Sequence, residues 1–185
     1  MKGTFTSEER NYMQYLAKSA VESYVKSGKT IKPENIPQNL NIERACFVTI
    51  TDNGKLRGCI GTLEPVDKLC NSIVEMAIAA ASRDHRFSSV AENELKDLQY
   101  EISVLTKPEK INYTSKEDLF AQIKGKGLII EKEYSRATYL PQVWENVRDE
   151  NEFLSTLCMK AGLKRDEWEK LNKSGMEFFV YETVK

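Results

Sequence analysis

Asn53-Gly54 sits between two β-rich runs, "RACFVTITD" and "KLRGCIGTL". An Asn-Gly pair accepts positive φ at both positions, which matches a two-residue turn to the twist of paired strands. No other local signal constrains this chain so much. It predicts a hairpin with Asp52 opposite Lys55 and Val48 opposite Cys59. Strand alternation then sets Arg57, Cys59 and Gly61 on one face and Leu56, Gly58, Ile60 and Thr62 on the other.

The flanking segments fill out the class. Thr6 and Glu9 have capping-box spacing, and Met13, Leu16, Ala17, Ala20, Val21 and Tyr24 recur at helical intervals up to a stop at Gly28. Asp67 is placed to cap a second helix with a wide apolar face from Leu69 to Ala81. "LQYEISVLT" reads as a third strand, with Tyr100, Ile102 and Val104 on one face and Glu101 and Ser103 on the other. Ser115 can cap a short helix reaching Lys124. "GLIIEKEYSRATYL" reads as another hairpin, turning at 133–135. Helical stretches at 141–148 and 150–161 follow, then a strand, "MEFFVYETV". The order α-β-β-α-β-α-β-β-α-α-β predicts an α+β fold with mainly antiparallel pairing.

Composition narrows the function classes. The 185 residues carry a net charge of −1, so no overall field favours nucleic acid or an anionic membrane. A basic groove using Lys124, Lys126, Lys132 and Arg136 would be needed for RNA. No apolar run is long enough to span a membrane, and the first twenty residues lack a signal-peptide core. A cytoplasmic location is expected. Cys46, Cys59, Cys70 and Cys158 form no C-x-x-C pair, and His85 is the only histidine. No metal site or disulfide framework is predicted. No dinucleotide fingerprint or P-loop is present, because Gly125-Lys126-Gly127 lacks the spacing, and no cofactor is expected.

"RGCIG" is the segment with the most chemical content. Cys59 is a candidate nucleophile, or a small hydrophobe chosen for size. Arg57 could supply a cation to it. Gly58 and Gly61 could admit a ligand to the backbone or simply permit tight packing. Arg86 could hold a carboxylate or phosphate, or Asp84 and Arg86 could bridge to each other and hold their loop. Glu101 could act as a general base or pair with Arg57 from a neighbouring strand. Gln142, at a helix start after Pro141, could reach into a cleft. His85 reads as a solvated loop residue, which leaves a Cys–His pair without support.

Leu56 to Gly61 is the complete hexapeptide LRGCIG. With "TLEP", "AIAAASRDHRF", "YEISVLTKPEKI", "KGLIIE", "YLPQVW" and "FLSTLCMKAGL", it resembles the AMMECR protein family, in that family's order, from about Phe47 onward. The resemblance implies one domain over 1–185, built as two unequal lobes, each around an antiparallel sheet. The larger lobe would hold both termini. It implies no established reaction. It also implies association with Memo-type and radical SAM proteins. Two readings follow: an enzyme or enzyme subunit working at Cys59 with Arg57 and Arg86, or a non-catalytic binding module. Oligomeric state is not readable from the chain.

Overall fold

The computed structural model describes residues 5–173 and 175–184, and the chain divides into two compact units. The first comprises residues 1–106 with 184–185, and the second residues 107–183. By connectivity, the second is an insertion near the end of the first.

The first unit opens with α1, Ser7–Ser27. Thr6 accepts the Glu9 N–H, and the Glu9 carboxylate accepts the Thr6 N–H at 2.8 Å, which completes the predicted capping box. Gly28 ends the helix at φ 69°, a left-handed cap, and donates to Tyr24 O. Strands β1 (Cys46–Asp52) and β2 (Lys55–Gly61) form the predicted hairpin, with Asn53 and Gly54 at φ 48° and 77°. Helix α2 (Leu69–Ser82) and strand β3 (Leu98–Leu105) follow. The sheet order is β2-β1-β3-β8, where β8 is Thr183–Val184.

One face of this sheet supplies Val48, Ile50, Ile102 and Val104 to a core shared with Leu16 and Val21 of α1 and Ile73 and Ala77 of α2. Each large aliphatic side chain buried this way contributes about 1.5–3 kcal/mol. Helix α2 begins one residue later than Asp67 suggests, with Lys68 at the N-cap. The Asp67 carboxylate instead accepts from Lys68 N and from the Asn71 amide.

The hairpin register also departs from simple alternation. Asp52 pairs with Lys55 as expected, but Thr51 pairs with Leu56 and Ile50 with Gly58. Arg57 is therefore an extra residue, a β-bulge. Beyond it Cys59 stands opposite Thr49, not Val48, and Ile60 takes the place opposite Val48. A bulge moves every later residue to the other side of its pairing scheme. Cys59 consequently joins the face of Leu56, Thr51 and Thr49, while Gly58 and Ile60 face the core.

In the second unit the sheet order is β4-β7-β5-β6. The strands are β4 (Glu109–Lys110), β5 (Gly127–Lys132), β6 (Ser135–Tyr139) and β7 (Glu177–Tyr181), with all pairings antiparallel. Ser115 caps α3 (Lys116–Ile123), and Asp149 caps α4 (Glu150–Lys160). Residues Pro141–Asn146 form a short 3₁₀ helix, not the α-helix expected to residue 148. Leu119, Ile123, Ile130, Phe153, Leu157 and Trp168 are among its core residues. Trp144 stacks on Phe153 with ring centroids 3.9 Å apart, and its indole N–H donates to Lys126 O. Two antiparallel four-stranded sheets with helices make the fold α+β, as predicted.

Candidate functional site

β2 is the outermost strand of its sheet, and an outer strand must satisfy its own backbone groups. At Cys59 the loop after α2 does this. The Asp84 carboxylate accepts the Cys59 N–H at 2.8 Å, and Arg86 donates to the Cys59 carbonyl at 3.5 Å. The two side chains also bridge each other, with Arg86 Nη2 to Asp84 Oδ2 at 2.6 Å and Nε to Oδ1 at 2.9 Å. Asp84 is buried, and the Arg86 guanidinium holds its carboxyl well below the usual carboxylate range. His85, between them, is exposed.

The bulge turns Arg57 toward the same connection. Its guanidinium forms a two-pronged bridge to Glu94 at 2.7 and 3.1 Å and donates to Ser88 O at 2.8 Å. The partner is thus Glu94, not Glu101 as the sequence suggests. Glu94 follows α2 and lies beside the bulge, whereas Glu101 lies on β3, beyond β1. The Arg57 guanidinium also lowers the Glu94 carboxyl pKa.

Both hexapeptide glycines meet protein. A Cβ on Gly58 would lie 2.1 Å from the Ala80 carbonyl oxygen, so glycine lets the end of α2 rest on the strand. A Cβ on Gly61 would lie 2.3 Å from the Phe47 ring and 2.4 Å from Cys46 O. Packing accounts for both glycines.

That leaves the thiol. Cys46, Cys70 and Cys158 are buried, and burial pushes the Cys46 and Cys158 thiols up to about 12 and about 11. Cys59 alone is partly exposed. Its sulfur lies 3.3 Å from Thr49 Oγ1. Thr49 pairs with Glu101 on its other side, so Cys59, Thr49 and Glu101 form one row across three strands. Thiol and carboxylate there stand two strand spacings apart, about 10 Å at the backbone. Thr49 was not singled out in the sequence, because the bulge that brings it to Cys59 has no local signature.

Among the described residues, Thr62 Oγ1 and Gln142 Oε1 are buried with no hydrogen-bond partner, as are the Tyr100 and Tyr113 hydroxyls. Gln142 belongs to the second unit and Thr62, directly after the hexapeptide, to the first. Gln142 is the second residue of a six-residue 3₁₀ helix, too short to provide the helix terminus expected to attract an anion.

Of the cations that an RNA groove would use, Lys124 pairs with Glu150, Lys132 with Glu167 and Arg136 with Glu131. Among the described residues, no group of three or more His, Cys, Asp or Glu could hold a metal. No helix among them is long and apolar enough to cross a membrane.

The AMMECR1 family model matches residues 14–185, across both units. A Methanosarcina mazei protein is 40% identical over 173 residues, covering 90% of this chain and 85% of its own. A Methanocaldococcus jannaschii protein is 40% identical over 168 residues, covering 88% and 83%. The crystal structure of an uncharacterized protein from Pyrococcus horikoshii matches with a TM-score of 0.87 at 34% identity, over 97% of this chain and 91% of that one. With the family model spanning nearly the whole chain and relatives of this similarity, the chain belongs to the AMMECR1 family.

Proposed function

We propose that the sheet face carrying Cys59, Thr49 and Glu101 is the working surface of an enzyme component. The observation that supports this is the division of labour within the hexapeptide. Arg57, Gly58 and Gly61 are committed to packing and ion pairing, while the Cys59 thiol stays partly exposed on an anchored backbone, in contact with a hydroxyl. Cys59 is then the reacting atom. Glu101 serves a substrate group lying over Thr49, as base or as anchor. Arg86, with its side chain about half exposed, orients an anion at the strand edge.

The reading includes work in the cytoplasm alongside Memo-type and radical SAM proteins, on a small molecule or a macromolecule.

A specific observation favours the second reading, a non-catalytic binding module. Both nearby guanidinium groups are held by carboxylates, Arg57 by Glu94 and Arg86 by Asp84, and neither is left to activate a thiolate. Iodoacetamide kinetics from pH 6 to 9 and complementation with Cys59→Ser and Cys59→Ala separate the two. The enzyme reading expects alkylation faster than that of an ordinary exposed thiol at neutral pH, and loss of function in both variants. Ordinary reactivity with function retained in Cys59→Ala establishes the binding module instead.

A further inference from the structure

Away from the hexapeptide, a groove of about 350 Å³ opens in the first unit between α1, the segment after it and α2. Its size falls in the range of small-ligand sites. Tyr24, Ile31, Val74 and Ile78 give it an apolar lining, and Val74 and Ile78 belong to the core beneath.

The far wall is pinned at both ends to α1. Ser23 Oγ donates to Lys29 O at 2.8 Å, and the Tyr12 hydroxyl donates to Glu34 O at 2.6 Å. Asn35, just beyond, takes a positive φ of 53°. A wall fixed before binding lowers the ordering cost a ligand must meet.

Charge is arranged along α2. Asn71, Val74, Glu75 and Ile78 have the i, i+3, i+4, i+7 spacing of one helix face, and all border the groove. Asp67 and Glu75 put acidic groups on this side toward the start of the helix, Arg83 closes the other end, and Lys32 stands on the opposite wall. Among the described residues, the side chains of Glu75 and Arg83 form no ion pair. They are eight residues apart, about 12 Å along the axis at 1.5 Å per residue.

A carboxylate and a guanidinium rooted that far apart along one helix, with an apolar strip between them, complement a molecule with an ammonium, an apolar middle and a carboxylate. An extended chain covers about 12 Å in three to four residues. A single amino acid cannot reach both ends, and a fatty acid has nothing for Glu75. The planar fork of Arg83 suits a terminal carboxylate. We propose that this groove binds short apolar peptides of about three residues, with the N-terminal ammonium at Glu75 and the C-terminal carboxylate at Arg83. The site is independent of the Cys59 surface.

The test is a titration of the ¹⁵N-labelled full chain with the tripeptide Leu-Ala-Leu, its N-acetylated and C-amidated forms, and free leucine. The free tripeptide should give saturable shifts at Val74, Glu75 and Ile78, and capping either end should weaken binding at least about fivefold. Glu75→Gln should erase the preference for the free amine, and Arg83→Gln the preference for the free carboxylate. No saturable shift up to about 10 mM, equal binding of capped and free peptides, or equal binding of leucine would overturn the proposal.

Discussion

The main-chain N–H of Cys59 donates to the Asp84 carboxylate at 2.8 Å, across the open edge of β2. Arg86 answers at the Cys59 carbonyl, so one ion pair meets both backbone groups that a neighbouring strand would use. This blocks strand addition at that point and fixes the backbone beneath the thiol. The Asp-x-Arg spacing thus acts through the hexapeptide, 25 residues earlier in the chain.

The pair gives stability a defined pH dependence. The Asp84 carboxyl lies below its ordinary value of 3.8 in the folded protein, chiefly because of Arg86. The unfolded chain therefore takes up a proton first. The contribution is fully present above about pH 4 and is lost as pH falls through the lower folded value. Urea unfolding of Asp84→Asn should show less stability than wild type at pH 7 and a smaller gap at pH 3. An equal gap at both values would remove Asp84 as the cause.

Gly58→Ala should destabilise the first unit by about 1–3 kcal/mol or more, since its Cβ would meet a helix carbonyl that cannot rotate away. Leu56→Ala, at an exposed position, should change stability by no more than about 0.5 kcal/mol. Chemical denaturation followed by circular dichroism compares the two directly.

In the native protein a thiol reagent should label one cysteine, Cys59, and in denaturant all four. Thr49→Val should slow Cys59 labelling about fivefold, the equivalent of one hydrogen bond of about 1 kcal/mol, and Thr49→Ser should restore most of the rate. Peptide mass mapping after short exposure reads the site and the rate together.

Glu167 should contribute to acid stability in the second unit. Lys132 and Lys170 hold its carboxyl down at about 2, against an ordinary 4.5. Its contribution is present above about pH 4.5 and disappears as pH falls toward 2. Glu167→Gln should flatten that limb of the curve. Emission from the neighbouring buried Trp168 is the probe.

Phe153→Ala removes a fully buried ring that stacks on Trp144, and should cost about 3–5 kcal/mol. Trp144 emission should shift to the red as its stacking partner disappears.

Much of the fold was legible because its signals are local. The Thr6–Glu9 box, Gly28, the Asn53-Gly54 turn and the Ser115 cap are each determined by a few adjacent residues. The site was legible only in part. Cys59, Asp84 and Arg86 could be named in advance, but not that Asp84 and Arg86 would grip the Cys59 backbone, which depends on where α2 delivers its following loop. One inserted residue, Arg57, exchanged Val48 for Thr49 opposite the thiol. Alternation counts residues faithfully only until a bulge intervenes, and this bulge is held by a bridge to Glu94, 37 positions away. The two-residue strand β4 was invisible for another reason, since nothing so short has a period, and β8 was read as the end of one strand that in fact divides between two sheets.

β8 also imposes an order on synthesis. The sheet of the first unit takes its fourth strand from residues 183–184, after the whole second unit has been made. A ribosome therefore releases the inserted unit while its host still has one edge of β3 incomplete. Through the synthesis of residues 107–183, the older part of the chain waits for the younger.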